Sequence, residues 1–174
     1  MRASALKYGS KAVFWNSETR TVLHTYEVDI YRDKGKLKLP KHIWRFDSQH
    51  EFNVYVELTR MYGENRILRQ EPVTVISPGW CFPKGKQWKV DFVVVPSEDK
   101  GDIDYLVEAK GAFLPEFGWA LACLEAEWEY LFLHTKIIFP YSLPKKNKIV
   151  KALLNSGFSH NLLTLKDLKA KDRF

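Results

Sequence analysis

Two short apolar runs constrain this chain more than any other feature: Val90-Asp91-Phe92-Val93-Val94-Val95 and Tyr105-Leu106-Val107. Both are rich in β-branched and aromatic residues, and residues 97–102 between them are polar, so they read as two strands separated by a turn. Each carries a carboxylate. Asp91 stands at the entry of the first run, and Glu108 follows the second within Val107-Glu108-Ala109-Lys110-Gly111. A carboxylate entering such a strand is costly to bury unless it is paired or bound to a cation. Glu108 and Lys110, two residues apart, leave the same face of a strand. If the two strands are neighbours, Asp91 and Glu108 converge on one hard cation, because Mg²⁺ takes one or two carboxylates together with waters and phosphate oxygens. Lys110 would then hold or polarise the attacking water. Taken alone, the triplet serves equally well as a structural ion pair. A second E-x-K, Glu98-Asp99-Lys100, follows Pro96 in the polar turn and reads as a solvated loop.

Elsewhere the pattern alternates between strand and helix. Residues 11–45 read as extended, with Val28, Ile30, Leu37 and Leu39 alternating around the turn Arg32-Asp33-Lys34-Gly35, a hairpin signal that Pro40 ends. Residues 48–62 are helical, with Phe52, Tyr55, Leu58 and Tyr62 on one stripe and Gly63 as the stop. A strand is expected over 67–76 and an aromatic, Gly- and Pro-containing loop over 77–87. The spacing of Leu121, Leu124, Trp128 and Leu131 predicts a helix over 118–133, and 136–139 a further strand. Pro144 and Lys145-Lys146-Asn147-Lys148 open a last helix to about Asn155, closed by Gly157, and the charged tail 166–174 is expected to fray. This order predicts a mixed α/β fold with a central sheet flanked by helices. Residues 1–45 form an extended N-terminal β segment and 46–174 the core, within one compact domain overall.

Lys and Arg number 27 against 21 Asp and Glu, a formal charge of +6 that favours a polyanionic partner, nucleic acid first. Two clusters could supply the contacts. Trp80, Phe82, Lys84, Lys86, Trp88 and Lys89 interleave rings and cations before Asp91, suited to clamping phosphates and stacking on exposed bases. Lys145, Lys146 and Lys148 oppose the dipole of the helix they open, so helix stability does not account for them. No run approaches the ~20 apolar residues that span a bilayer, and Met1 to Ala5 lack a secretory apolar core, so a cytoplasmic protein with no membrane partner is expected. Cys81 and Cys123 read as reduced thiols, and His24, His42, His134 and His160 have no metal-ligand spacing. The absence of G-x-S-x-G, P-loop and dinucleotide fingerprints leaves serine-hydrolase, NTPase and Rossmann readings without support. Trp119 and Trp128 read as core or dimer surface.

Ser48-Gln49-His50-Glu51 is a capping-box signature, so Glu51 caps its own helix. It also shares a helical stripe with Tyr55, Leu58 and Tyr62, which turns it toward the sheet; Glu57 points elsewhere and reads as surface. A helical Glu, then V-D on one strand and E-A-K-G on the next, resembles the PD-(D/E)XK nuclease superfamily. Glu51 matches the helical acid, Asp91 the Asp of the P-D pair, Glu108 the (D/E) and Lys110 the lysine, while Val90 stands where the pattern has proline. Lys7-Tyr8-Gly9-Ser10-Lys11 and Phe46-Asp47-Ser48-Gln49-His50-Glu51 are similar to the K-Y-G-x-K and F-D-S-x-x-E stretches of small phage-encoded members, and the order of elements resembles phage junction-resolving endonucleases. The resemblance runs from about Lys7 to Gly157, with 19–41 longer than in those relatives.

It implies a restriction-endonuclease-like core that binds Mg²⁺, with Mn²⁺ as a substitute, through Asp91, Glu108 and the Ala109 carbonyl. Lys110 would orient the water, and Glu51 would complete the site or bind a second metal. The expected activity is that of a phage or mobile-element DNA endonuclease, structure- or site-specific on duplex or branched DNA, as in Holliday junction resolution or homing, and working as a homodimer. A non-catalytic DNA-binding module and a nuclease subunit of a transposase-like assembly are the alternatives.

Overall fold

The computed structural model of the protein describes residues 11–96 and 103–174. The expectations placed on Met1 to Ala5, on the first four residues of the Lys7–Lys11 motif and on Glu98-Asp99-Lys100 lie outside the described residues. The chain divides into two compact units, Met1–Phe52 and Asn53–Phe174.

In the first unit, β1 (Val13–Asn16), β2 (Thr21–Val22) and β5 (Ile43–Phe46) form a three-stranded antiparallel sheet in the order β2-β1-β5. The Asn16 side-chain oxygen turns the chain between β1 and β2 by accepting from the Glu18 and Thr19 amides at 3.0 and 3.1 Å. Between β2 and β5 lie a short helix, α1 (Thr25–Asp29), and a two-stranded ribbon of β3 (Arg32–Asp33) and β4 (Lys36–Leu37). The expected hairpin turn is present. Lys34 and Gly35 both have positive φ, 49° and 76°, the pairing that matches a two-residue turn to strand twist. Its arms are shorter than the alternation predicts, because Val28 belongs to α1 and Ile30 to its C-terminal cap rather than to a strand. The Glu27 carboxylate accepts from the His24 amide at 2.6 Å and starts that helix; Val28 is buried and Ile30 exposed.

Helix α2 (Gln49–Tyr62) begins in the first unit and continues into the second. Ser48 Oγ accepts from the Glu51 amide at 3.0 Å, which is the serine half of the expected capping box, and the Glu51 carboxylate accepts at 2.8 Å from the Asp47 amide, one residue before the cap. Gly63, at φ 84°, ends the helix by donating to Thr59 O. Phe52, Tyr55, Leu58 and Tyr62 are all buried, as their spacing predicts. Glu57 is a correction: its side chain is only 15% exposed and pairs with Arg60 at 2.9 Å rather than standing free on the surface.

The second unit is built on a five-stranded mixed sheet: β6 (Ile67–Ile76), β7 (Lys86–Val94), β8 (Tyr105–Ala109), β9 (Thr135–Phe139) and β10 (Leu162–Thr164), in the order β10-β9-β8-β7-β6. The β6-β7 and β7-β8 pairs are antiparallel, and β8-β9 and β9-β10 are parallel. Helices α3 (Pro115–Glu127), α4 (Glu129–Leu133), α5 (Lys148–Leu154) and α6 (Leu165–Lys169) complete this unit with the end of α2. Val93, Leu106 and Ile137 of the sheet share a core with Phe117, Leu121 and Leu124 of α3, and Tyr55 of α2 stacks on Phe92 at 6.2 Å.

Three expectations are corrected here and one is narrowed. The helix predicted over 118–133 starts earlier, at Pro115, a residue suited to a first helical turn, and breaks at Trp128 (φ −139°, ψ 61°) into α3 and α4. Of the two readings given to Trp119 and Trp128, their exposure of 48% and 41% removes core and leaves a surface position. Lys86 and Lys89 belong to β7, not to the preceding loop. The tail is held: Leu168 is fully buried, the Phe174 ring lies 5.1 Å from Tyr105, and the Phe174 amide donates to the Tyr62 hydroxyl at 2.8 Å. Cys81 and Cys123 are free thiols. Among the described residues no helix is long and apolar enough to cross a membrane.

Candidate active site

Antiparallel pairing of Phe92 with Val107 and Val93 with Leu106 continues one step to bring Asp91 opposite Glu108. There the side chains take over from the ladder. Asp91 Oδ2 accepts from the Ala109 amide at 2.9 Å, and Glu108 Oε2 accepts from the Asp91 amide at 3.1 Å. Each carboxylate is thus bonded to the opposite strand, which fixes both side chains on rigid elements. The Gln70 amide of β6 donates to Asp91 Oδ1 at 3.2 Å. Gln70 has φ 56°, a conformation that few side chains other than Asn and Asp adopt readily, and it sits in the middle of a strand.

Lys110 follows directly on β8. Its amide donates to Ile138 O of β9 at 2.9 Å, its ammonium pairs with Glu108 Oε1, and that ammonium lies 4.7 Å from the centre of the Phe117 ring. The two residues with the expected same-face spacing therefore do meet. Glu108 is 2% exposed, whereas Asp91 and Lys110 are half-buried. Burial, first, and the negative charge of Asp91, second, push the Glu108 carboxyl up to about 8; the Lys110 ammonium and the hydrogen bonds oppose this only in part.

These groups fit a hard divalent cation. They offer two oriented carboxylates, one of which resists ionisation until positive charge arrives, and hydrogen-bonded supporting groups of the kind that orient metal ligands. Among the described residues no group of three or more His, Cys, Asp or Glu is gathered for a metal. Two carboxylates with water and phosphate oxygens are the usual complement for Mg²⁺. Glu51 is buried in the first turn of α2, with its carboxylate engaged by the Asp47 amide.

The predicted cationic positions are all exposed: Lys84 in the loop between β6 and β7, Lys86 and Lys89 on β7, Lys145 and Lys146 before α5, and Lys148 as its first residue. Asn147 among them has a different role. Its Oδ1 accepts from the Ile149 and Val150 amides at 2.9 and 3.2 Å, and its Nδ2 donates to Phe113 O at 3.1 Å, so one side chain caps α5 and ties it to the segment after Lys110. Nothing in the sequence marks Gln70 or Phe117 as part of the site. Neither carries a local signal, since Gln70 reaches Asp91 across 21 positions. No protein-family model, curated protein or solved structure matches the chain.

Proposed function

We propose that the protein is a Mg²⁺-dependent DNA endonuclease with a restriction-endonuclease-like core, of phage or mobile-element origin. The observation that carries this reading is the locked pair of Asp91 and Glu108 with Lys110 seated on it. A buried acid that resists ionisation beside a second acid is a poor structural element and a good cation site. Asp91, Glu108 and the Ala109 carbonyl would hold the ion, with Mn²⁺ able to substitute. When bound, Mg²⁺ supplies a more acidic water and offsets charge on the phosphoryl group.

The chain's own groups do the remaining work. Gln70 and the Ala109 amide hold Asp91 in orientation, and Phe117 and Glu108 hold the Lys110 ammonium where it positions the nucleophilic water. The formal charge of +6 and the exposed lysines of β7 and of the turn before α5 suit a DNA backbone. Structure- or site-specific cutting of duplex or branched DNA is the activity proposed, by a homodimer, because cutting two strands calls for two sites.

Cleavage of supercoiled plasmid and of a synthetic four-way junction tests this, in Mg²⁺, Mn²⁺, Ca²⁺ or EDTA. Cutting in Mg²⁺ or Mn²⁺ that Lys110→Ala and Asp91→Ala each abolish, with unfolding transitions retained, is the expected result. Retained cutting in both variants sinks the proposal. Salt-sensitive DNA binding without cutting under any metal points instead to a non-catalytic DNA-binding module.

A further inference from the structure

The first residues of β7 and the first turns of α3 wall a groove of about 680 Å³, within the usual size range of ligand sites. Lys86, Trp88 and Lys89 line one side, Glu116 and Trp119 the other. Trp119 is 48% exposed, a large ring left in solvent on a helix whose other large apolar side chains, Phe117, Leu121 and Leu124, are buried. The Lys86 ammonium stands 6.0 Å from the Trp119 ring and 5.3 Å from Phe82, holding a cation over two faces.

The loop that carries Phe82 is built rather than loose. Ser77 donates its amide and its hydroxyl to the Glu127 carboxylate of α3, both at 2.9 Å, and the Gly79 and Gly85 amides both donate to Phe82 O. Gly85 has φ 67°, and a Cβ there would meet Ile76 O at 2.5 Å. The loop so fixed presents Trp80 fully to solvent.

We infer that this groove is a subsite for unpaired bases of a single DNA strand, stacked on Trp119 beside Trp88, with its phosphates on Lys86 and Lys89. Ring faces call for bases taken out of a duplex stack, whereas a duplex shows only base edges and phosphates. The lysines supply the opposite charge along the backbone, and the Glu116 carboxylate is an acceptor for an exocyclic amine. One buried ring links the groove to Lys110. Phe117 carries Trp88 at 5.5 Å and the Lys110 ammonium at 4.7 Å, and Lys89 is two residues from Asp91. The inference rests on the endonuclease reading and narrows its substrate to DNA with an unpaired stretch beside the cut, such as a flap, an open junction or a single strand.

Binding measured in EDTA separates the two, because it requires no catalysis. The probes are labelled oligothymidylate, a duplex of equal length and thymidine monophosphate, read by anisotropy and by tryptophan quenching. Oligothymidylate is expected to quench the wild type and to bind it more tightly than the duplex. Trp119→Ala is expected to weaken that binding by about tenfold or more, as for loss of one stacked base. Trp119→Phe, which keeps a ring, retains most of it and shows that the fold is intact. Lys86→Ala is expected to lower the slope of log affinity against log salt by about one contact. Unchanged strand affinity in Trp119→Ala overturns the inference, as does tighter binding of the duplex. Equal affinity for thymidine monophosphate overturns it in favour of a nucleotide pocket. A dimer lost in Trp119→Ala with strand affinity unchanged assigns the face to a second copy and also overturns it. Strand binding that behaves as expected in a protein that cuts nothing refutes the endonuclease reading alone.

Discussion

Replacing Glu108 by Gln keeps the side chain's size and removes its ionisation, which isolates the cost of holding a carboxylate against Asp91 in an apolar site. The carboxyl is pushed from an ordinary 4.5 to about 8 by burial and by Asp91. Between those two values the folded protein keeps a proton that the unfolded chain has released. Stability therefore falls as pH rises through that window and levels off above about 8. At ~1.4 kcal/mol per pKa unit, the wild type should lose about 2–3 kcal/mol between pH 6 and pH 9 from this group. Urea unfolding in EDTA across that range measures the loss, and Glu108→Gln should lack it. Millimolar Mg²⁺ should restore stability to the wild type chiefly at the alkaline end, where the ionised acid that binds it is cheapest to form, and should do little for the variant. A wild-type profile that is flat in EDTA, or a variant that falls as steeply, refutes the reasoning.

Other perturbations reach the structure around the site. Gln70→Ala removes the amide that orients Asp91 and should weaken Mg²⁺ binding roughly 10- to 100-fold; calorimetric titration checks this, and an unchanged affinity would deny Gln70 a positioning role. Asn147→Ala should cost about 1 kcal/mol through the lost cap of α5, with some more for the freed Phe113 carbonyl, read as a lowered midpoint of thermal unfolding. Gly85→Ala should destabilise by about 1 kcal/mol or more, because it places a Cβ at positive φ and against the Ile76 carbonyl. A denaturant midpoint equal to the wild type's would mean that the loop relaxes freely.

Elements with several turns or repeats of pattern were readable. α2 carries four buried stripe residues, β6 ends in Val73, Val75 and Ile76, and β7 carries a long apolar stretch, so their positions followed from pattern. Asp91 and Glu108 were also within reach, because antiparallel strands close in sequence bring such residues face to face. β10 was not readable: it has three residues, and it is a strand only because β9 lies parallel beside it. The start of β7 was hidden because Lys86, Gln87 and Lys89 are exposed and show no buried alternation. α1 looked like a strand because a helix of five residues offers one turn of pattern, and its start is fixed by local bonds such as that of Glu27 to the His24 amide. Gln70 could not be found at all, since its backbone conformation and its reach to Asp91 both belong to the folded sheet.

β8 is the strand at which the sheet changes direction, antiparallel to β7 and parallel to β9. The chain therefore leaves β8 after Ala109 and β9 after Phe139 at the same end of the sheet, next to the carboxylate pair. That pair is held by hydrogen bonds between strands, from Gln70, and from Lys110 at the foot of the segment that leaves β8. The scaffold thus separates what must stay fixed from what is free to vary. The stretches after Lys110 and after Phe139 can lengthen, shorten or change charge at that end of the sheet, while the acids beside them keep their place.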